Sequence, residues 1–376
     1  MITVDTLPAE VLSRNAMPFL HGDEAGEIER VLRSGQYGHG PESEQFEREL
    51  AAFLGVPDVV TVASGTAALH IALLTAGIGD GDEVIVPSFT FGATVQAIVA
   101  CGARPRFIEV SPDTLCSTPE DIAAAITART RAVVPVLYGG RAIDLTGIRP
   151  VLDRHGIAVI EDAAHAFGSR CGQQRVGATG ALTCFSFDPI KNLTCGEGGA
   201  LVPREPSEAA RARLIRALGI AQSAQQRTKV VSYAIECPGM RAHLPAMNAA
   251  IGRVQLARFD VVEARRKNLW MAYRDAIGNL SGVNIIDVDA GHSVPFNCVV
   301  RLDAGRDRVF KDLRARGIGV GVHYPPNHTQ PAFAAWYTPL PATEQVAQQV
   351  LSLPFHPALD ESGIARVISE LERTIP

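Results

Sequence analysis

The segment IAVIEDAAH, residues 157–165, joins a short apolar run to two acidic residues and a histidine. The run has the length of a strand, and its continuous apolar character is typical of a strand that a parallel sheet buries on both faces. Similar runs precede it at spacings of roughly 25 residues, with helical patterns between them. They are VVTVAS (59–64), EVIVP (83–87), RFIEV (106–110) and AVVPVLY (132–138). This alternation predicts an α/β fold with a mostly parallel central sheet and helices on both faces.

The alternation of strands and helices lapses after about residue 253. Because 376 residues exceed one typical domain, we predict an N-terminal segment (1–22), a large α/β domain (23–253) and a smaller C-terminal α+β domain (254–376). A helical stretch at 254–277 would connect the two domains. In the C-terminal domain the pattern predicts strands near 294–302 and 318–323, and helices near 306–316, 343–352 and 361–373.

The composition is that of an ordinary globular protein, with 47% apolar and 20% charged residues. The net charge of −5 arises from interspersed acids and bases, which argues against a face that binds nucleic acid. No apolar run approaches the length of a membrane span, and the N-terminus lacks the pattern of a signal peptide. Seven scattered cysteines without CxxC spacing indicate reduced thiols. We therefore expect a cytoplasmic protein that has no membrane contact.

Polar or aromatic side chains follow three of the predicted strands, at the sheet edge where ligands bind in parallel sheets. Ser64-Gly65-Thr66 opens a helix and suits a phosphate, although Ser64 or Thr66 could also serve only as a helix cap. Phe89 could offer its flat face to a ring. Asp162 is a candidate counter-ion for a protonated heterocycle, because a buried carboxylate needs a cationic partner. Neither GxGxxG nor GxxxxGK[ST] is present at the first strand, so a dinucleotide or nucleoside-triphosphate site is not supported.

The stretch CFSFDPIKNLTCGEGGA, residues 184–200, places Lys191 between an apolar run and a glycine cluster. The letters ALTCFSF at 181–187 predict a short buried strand, and Pro189 interrupts the ladder beyond it. Lys191 is therefore expected on a loop just past a strand end. A phosphate turn, an aromatic ring, a buried carboxylate and a loop lysine are the four groups that pyridoxal 5′-phosphate (PLP) requires.

Five motifs in order make the chain similar to a known family. They are SGTAAL (64–69), GDEVIVPSFTF (81–91), VIEDAAHAFGS (159–169), FSFDPIKN (185–192) and GEGGA (196–200). The chain resembles the sugar aminotransferases of the DegT/DnrJ/EryC1/StrS family from about Pro18 to its end, also through NAAIGRVQL (248–256), VHYPPNH (322–328) and LSLPFHPAL (351–359). The resemblance implies a PLP-dependent transferase type I fold and a homodimer whose subunits share their active sites.

By position, the resemblance implies a role for each candidate residue. Lys191 would attach PLP covalently, and Asp162 would be the partner of the pyridinium nitrogen. Phe89 would stack on the ring. His165 stands where most relatives have glutamine, and it would bond the ring hydroxyl oxygen while changing the local proton balance. The phosphate-binding residues would be Gly65, Thr66 and Ser186.

The segment GMRAHL, residues 239–244, differs from the GYNYRM or GYKYNL of many relatives. In the family this segment reaches into the neighbouring subunit's site, so Arg241 could bind the phosphate there, with His243 as the alternative. At the substrate end of the pocket the resemblance places Tyr138, His323, Tyr324 and His328. A metal site is not expected, because the two histidines of VHYPPNH have no further ligands nearby.

The expected reaction is a ping-pong transamination in which PLP and pyridoxamine 5′-phosphate (PMP) alternate. L-Glutamate would give its amino group while the Lys191 amine moves the Cα proton. The acceptor would be a keto-sugar, most simply a nucleotide-linked hexose with its ketone at C3 or C4, with an aminocyclitol precursor as the nearest variant. A PLP-dependent sugar dehydratase or lyase and a non-catalytic regulatory paralogue are alternatives. Lys191 argues against both, because eliminating relatives can carry histidine at that position and a paralogue would tend to lose it.

Overall fold

The computed structural model describes residues 10–222, 226, 229 and 231–375. Residues 1–9 of the predicted N-terminal segment lie outside the described residues. The helices are α1 (Glu10–Ser13), α2 (Glu24–Ser34), α3 (Pro41–Leu54), α4 (Gly65–Thr75), α5 (Gly92–Ala100), α6 (Pro119–Ala124), α7 (Arg149–Arg154), α8 (Pro206–Arg216), α9 (Ala246–Ala257), α10 (Phe259–Ile277), α11 (Arg306–Ala315), α12 (Pro341–Ala347) and α13 (Glu361–Thr374). Short 3₁₀ turns lie at Tyr138–Gly140, Asn327–Thr329 and Pro331–Trp336.

The strands are β1 (Val60–Val62), β2 (Glu83–Pro87), β3 (Arg104–Ile108), β4 (Thr130–Val133), β5 (Ala158–Asp162), β6 (Arg170–Cys171), β7 (Gln174–Arg175), β8 (Leu182–Ser186), β9 (Gly199–Val202), β10 (Val283–Ile285), β11 (Cys298–Leu302) and β12 (Val350–Leu353). Seven of them form the central sheet in the order β1-β9-β8-β5-β4-β2-β3. The pairs β2–β3, β2–β4, β4–β5 and β5–β8 are parallel, whereas β9 runs against both β8 and β1. The predicted α/β fold with a mostly parallel sheet is confirmed.

Both faces of the central sheet are buried by helices. Leu182 and Cys184 of β8 pack in one apolar cluster, which contains residues of α4, α5 and α8. Phe185, which points to the other face, packs in a second cluster with Phe46 and Leu50 of α3. Such two-sided burial explains why the strands read as continuous apolar runs instead of alternating ones.

The strand predicted at 132–138 is shorter and begins earlier, at Thr130–Val133. Pro135 has no N–H group to donate, so the ladder does not continue past it. Beyond the proline, Val136 forms an isolated bridge with Asp162, and the chain enters a 3₁₀ turn at Tyr138. Residues 136–138 therefore leave the sheet beside the strand end that carries Asp162.

Two elements of the C-terminal part differ from the prediction. The helix predicted at 343–352 ends at Ala347, and the last residues form β12, which pairs antiparallel with β11. The prediction of a strand at 318–323 is also wrong, since Gly321 alone in that range forms a β-bridge, to Ser352. The apolar letters VLSL suit a helix or a strand, and pairing with β11 decides between them.

The helical stretch predicted at 254–277 consists of two helices, because Arg258 leaves the helical region with φ −121° and ψ 21°. The proposed boundary between residues 253 and 254 falls inside α9, and the division into two domains stays a prediction. An apolar core in the C-terminal part joins α10, α11 and α13 to β10–β12, and Leu12 packs against it. The Gly319 N–H bonds the Leu12 carbonyl oxygen at 2.7 Å, which attaches the N-terminal segment to this core.

No helix within the described part of the chain has the length and apolar character needed to cross a lipid bilayer.

Candidate active site

The ends of three strands meet at one edge of the central sheet. Asp162 is the last residue of β5, Ser186 is the last residue of β8, and Ser64 comes two residues after β1. Ligands bind at the carboxyl ends of strands in open α/β sheets. We therefore describe this edge residue by residue.

A narrow cradle lies between the start of α4 and the end of β8. A Cβ atom added to Gly65 would lie 2.7 Å from the Cβ atom of Ser186, so the close approach requires glycine. The Ser64 hydroxyl accepts a hydrogen bond from the Ala67 N–H at 3.1 Å, which confirms that Ser64 caps the helix. The N–H groups of Gly65 and Thr66 belong to the first helical turn, whose donors have no acceptor inside the helix. Together with the Ser186 hydroxyl they can bind an anion.

Asp162 is a buried carboxylate that accepts two hydrogen bonds. The Thr94 hydroxyl donates to it at 2.6 Å, and the Ala164 N–H donates at 3.1 Å. Burial raises the pKa of Asp162 above its ordinary value, while the two hydrogen bonds and the charge of Lys191 act in the opposite direction. A carboxylate in this position is ready to pair with a cation at the sheet edge.

Lys191 lies on the loop after β8, as the sequence predicts. The Lys191 N–H bonds the Asp188 carbonyl oxygen at 3.0 Å, and the Asn192 side chain bonds the Val294 carbonyl oxygen at 3.2 Å. Burial lowers the pKa of Lys191 to about 8, although Asp188 and Asp162 raise it. A substantial fraction of the amine is therefore neutral in mildly alkaline solution, and the neutral amine is the form that attacks a carbonyl carbon.

His165 is buried, and both of its ring nitrogens have partners. The Gly139 N–H donates to Nδ1 at 3.3 Å, so the ring proton lies on Nε2. Nε2 in turn donates to the Tyr324 hydroxyl oxygen at 3.1 Å. Burial, together with the charge of Lys191, lowers the pKa of His165 well below its ordinary value. The imidazole is therefore neutral, and the Tyr324 hydroxyl keeps its own proton for another acceptor.

Phe296 contacts two of these residues and was not identified in the sequence. Its ring stacks on His165 with centroids 3.9 Å apart and planes 17° apart, and the Lys191 Nζ lies 4.6 Å from its centroid. Arg266 bonds the Phe296 carbonyl oxygen at 3.1 Å. No local pattern in the sequence connects Phe296 with residues so far away along the chain.

Phe89, the predicted ring-stacking residue, does not reach the site. Its side chain has no accessible surface and packs against Tyr138 in an apolar cluster, because the chain turns after Pro87 and directs it into the core. The assignment of Phe89 to the cofactor ring is therefore wrong for this structure. Phe91, two residues later, is 62% exposed, and its ring centroid lies 5.6 Å from that of Tyr324.

Tyr138 and His328, two predicted substrate-binding residues, are also buried, with 0% and 1% exposure. The Tyr138 hydroxyl donates to the carbonyl oxygen of His323. The His328 ring bonds the Ser88 hydroxyl at 2.6 Å and the Glu344 carboxylate at 3.1 Å. Their polar atoms already have partners, so both residues connect distant parts of the chain, and a contact of either with substrate stays a prediction.

The remaining predicted residues divide into two groups. His323 bonds the Ser352 hydroxyl through Nδ1 at 2.9 Å, and burial together with the charge of Lys191 lowers the pKa of His323 to about 4. Arg241, in contrast, is exposed, and the carbonyl oxygen of its neighbour Ala242 accepts a hydrogen bond from the Ala63 N–H at 2.9 Å. The His243 ring lies 5.2 Å from the His39 ring. A role for either residue in a neighbouring subunit stays a prediction.

The sequence model of the DegT/DnrJ/EryC1/StrS aminotransferase family matches residues 18–372. The chain belongs to this family. It is a PLP-dependent aminotransferase of fold type I, as the arrangement of Lys191, Asp162 and the phosphate cradle led us to expect.

Solved structures of several relatives resemble this aminotransferase over nearly their whole length. DesV from S. venezuelae, in complex with a ketimine intermediate, is 39% identical, with a TM-score of 0.87 over 95% of this chain and 98% of DesV. The sugar aminotransferase CalS13 from Micromonospora echinospora is 30% identical, with a TM-score of 0.89 over 96% and 99% of the two chains. Spr1654 from Streptococcus pneumoniae in its PLP-form is 25% identical, with a TM-score of 0.88 over 96% and 97%.

Replacing His165 by glutamine is expected to make the aminotransferase less sensitive to acid. Because the pKa of His165 is lowered in the folded state, the unfolded state binds more protons, and the free energy of unfolding falls as the pH decreases below about 6.5. Glutamine removes this contribution. The melting temperatures of wild type and variant should therefore agree near pH 8 and differ by about 1 °C or more near pH 5.

The matched control is His155→Gln, which replaces an exposed histidine. Its melting temperature should follow that of the wild type at every pH. Identical curves for wild type and His165→Gln would contradict the burial of a neutral imidazole.

Proposed function

We propose that this aminotransferase moves the amino group of L-glutamate to a keto-sugar, a nucleotide-linked hexose with its ketone at C3 or C4, in amino-sugar biosynthesis. The observation that carries the proposal is the presence of Lys191, with its pKa lowered to about 8, beside the buried Asp162 at one sheet edge. A nucleophilic amine and a carboxylate without a cationic hydrogen-bond partner among the described residues are the two groups that PLP chemistry needs. The sugar acceptor is supported by the relative CalS13, a sugar aminotransferase.

The residues of the site fit PLP in three places. The donors of Gly65, Thr66 and Ser186 form a cradle that a larger side chain at position 65 would fill, which supports phosphate binding. Asp162 would hold the proton on the pyridine nitrogen. Phe91 exposes an aromatic face at the same edge and replaces Phe89 as the candidate for stacking on the ring.

PLP, when bound, supplies an aldehyde that captures amines and a ring that withdraws electrons from the Cα atom of the amino acid. Lys191 would hold the cofactor and then, as a free amine, take the Cα proton with Nζ. The Tyr324 hydroxyl, which accepts a hydrogen bond from the neutral His165, would donate its own proton to the ring hydroxyl oxygen. On the keto-sugar the same groups act in reverse order, with Lys191 returning the proton, so the two half-reactions form a ping-pong cycle.

The experiment treats the PLP-loaded protein with L-glutamate alone and, after removal of glutamate, with a panel of nucleotide keto-sugars. We expect one equivalent of 2-oxoglutarate per site from the first step and an amino sugar, identified by mass spectrometry, from the second. Absence of 2-oxoglutarate would contradict the proposed donor. Loss of water from the sugar without gain of nitrogen would favour the dehydratase, and a protein that takes up no PLP would favour the non-catalytic paralogue.

We also propose that the enzyme is a homodimer whose subunits complete each other's site. In support, the segment before Arg241 exposes apolar side chains at alternating positions, namely Val231, Tyr233 and Ile235. Exposed apolar side chains in such a row mark a surface that another chain covers. Arg241 follows on the same segment, and the partner subunit's Arg241 would bind the phosphate.

Replacing Ile235 by aspartate is expected to convert the dimer into a monomer and to lower turnover, because a charge would be buried in the interface. The molar mass is measured by light scattering. The control is Val261→Asp, which changes an exposed apolar side chain of α10 and should leave the mass unchanged. A dimeric Ile235→Asp variant would contradict the placement of the interface.

A further inference from the structure

Two threonine hydroxyl groups form a hydrogen-bonded chain that ends on Asp162. The Thr94 Oγ1 lies 2.6 Å from the Asp162 Oδ2 and 3.0 Å from the Thr90 Oγ1. Thr94 has one hydroxyl proton, and a carboxylate can only accept, so Thr94 donates to Asp162 and Thr90 donates to Thr94. Both hydroxyl groups of this hydrogen-bonded pair therefore donate in the direction of the carboxylate.

Both threonines are buried, with 2% exposure for Thr90 and 1% for Thr94. Thr90 precedes α5 and Thr94 lies in its first turn, so the spacing of four residues places the two hydroxyls on one side. In this position the Thr94 hydroxyl has no access to water and depends on its two partners. A donor fixed in this way favours the ionised form of the carboxylate that it bonds.

Asn327, from the C-terminal part of the chain, holds the backbone that carries Thr90. Its side-chain amide donates to the carbonyl oxygens of Thr90, at 2.6 Å, and Ser88, at 3.1 Å. Its backbone N–H donates to the Ser88 carbonyl oxygen at 2.9 Å. These three bonds fix the turn between β2 and α5, and with it the position of the Thr90 hydroxyl.

We propose that Thr94 is a positioning residue that keeps Asp162 ionised for the pyridine nitrogen, and that Asn327 acts on the same carboxylate through Thr90. The inference rests on the proposed use of PLP at this site. It adds three residues to those that the sequence identified, and it assigns to the C-terminal part of the chain a role at the ring nitrogen.

The other charged and titratable groups around Asp162 explain why a neutral donor matters. Burial raises the pKa of Asp162, and only Lys191 among the groups that influence it carries a positive charge. His165 is neutral, and the Tyr324 hydroxyl and the Cys184 thiol, which also sense Asp162, have pKa values raised well above their ordinary range. The hydrogen bond from Thr94 is the largest influence that favours the carboxylate.

The test is the pH dependence of PLP binding by the apoprotein, measured by equilibrium titration in the absence of any substrate. Thr94→Val keeps the shape of the side chain and removes the hydroxyl. Because the pKa of Asp162 then rises while Lys191 titrates as before, the part of the acid limb that belongs to Asp162 should move to higher pH by about one unit, and the affinity on the acid side of that limb should fall about tenfold. Thr94→Ser should restore both quantities.

A double variant distinguishes positioning from a general structural effect. In the Asp162→Asn background there is no carboxylate to ionise, so Thr94→Val should change the affinity less than about twofold. In the protein that keeps Asp162, Asn327→Ala should shift the acid limb of PLP binding in the same direction as Thr94→Val, by a smaller amount. Asn327→Ala serves as the second variant if Thr94→Val does not fold.

Two outcomes would overturn the inference. One is an acid limb that stays in place in Thr94→Val, or in Asn327→Ala if the valine variant does not fold. The other is an equal loss of affinity with and without Asp162. A wild-type protein that does not bind PLP at any pH would refute the proposed function itself, which keeps the two failures apart.

Discussion

Replacing Lys191 by alanine is expected to abolish covalent attachment of PLP and to lower turnover by about a thousandfold or more, because both the nucleophilic amine and the proton-transfer group are lost. The variant is treated with PLP and borohydride, denatured, and weighed by mass spectrometry. Wild-type protein should gain the mass of one reduced cofactor on Lys191, and the variant should gain none. Turnover is followed as release of 2-oxoglutarate from L-glutamate.

The fold should survive this change. Backbone and side-chain bonds of neighbouring residues hold the loop, including the bond from Asn192 to the Val294 carbonyl oxygen at 3.2 Å. Because burial lowers the pKa of Lys191, the ammonium form costs stability, and the apoprotein should melt no lower without it. Lys191→Arg is the matched control: it keeps a positive charge but cannot form the covalent bond, so it should be inactive as well. Full activity in either variant would refute the assigned role.

The predicted site residues that the structure brings to one sheet edge lie beside local signals in the sequence. Asp162 and Ser186 end buried strands, and Gly65 opens a helix, so strand and helix boundaries alone place them at one sheet edge. Lys191 follows the second of these strands within a few residues. For such groups the chain direction fixes the position, because parallel strands bring their carboxyl ends together.

The choice between Phe89 and Phe91 could not be made from the sequence. Both aromatics follow β2, and alternation in an extended chain would place them on the same side. The turn between them and α5 is held by Asn327, whose side chain bonds the carbonyl oxygens of Ser88 and Thr90 at 3.1 and 2.6 Å. The direction of each ring therefore depends on a residue more than two hundred positions away, and a local pattern does not contain that information.

The hydrogen-bond partners of Tyr138 and His328 could not be read from the sequence, for a related reason. A polar aromatic at a strand end and a histidine in a loop both suit a binding site, and nothing nearby in the sequence satisfies their polar atoms. In the folded chain the partners are distant, since the Tyr138 hydroxyl donates to the His323 carbonyl oxygen and the His328 ring bonds Ser88. Contacts between the N-terminal and C-terminal parts of the chain thus satisfy the Tyr138 hydroxyl and the His328 ring, for which the sequence alone showed no partner.

Replacing Asp162 by asparagine is expected to separate stability from catalysis. The pKa of Asp162 is raised in the folded apoprotein, so the ionised carboxylate costs stability as the pH rises through that value. Asparagine removes the cost, and the melting temperature of the apo variant should exceed that of the wild type by an amount that grows as the pH rises above the ordinary pKa of 3.8. Turnover should nevertheless fall by about a hundredfold or more, because an amide cannot keep the pyridine nitrogen protonated.

Glu161→Gln provides the matched control for this result. Glu161 is the neighbouring residue, is as buried as Asp162, and bonds Thr183 at 2.8 Å on the other face of the sheet. Burial raises the pKa of Glu161 as well, so its amide variant should show the same gain in melting temperature at neutral pH. Its turnover should stay close to that of the wild type, since it faces no part of the site. Equal losses of turnover in the two variants would mean that the sheet edge tolerates no amide. A loss in Asp162→Asn alone would show that the enzyme keeps this one buried charge for its cofactor at the expense of stability.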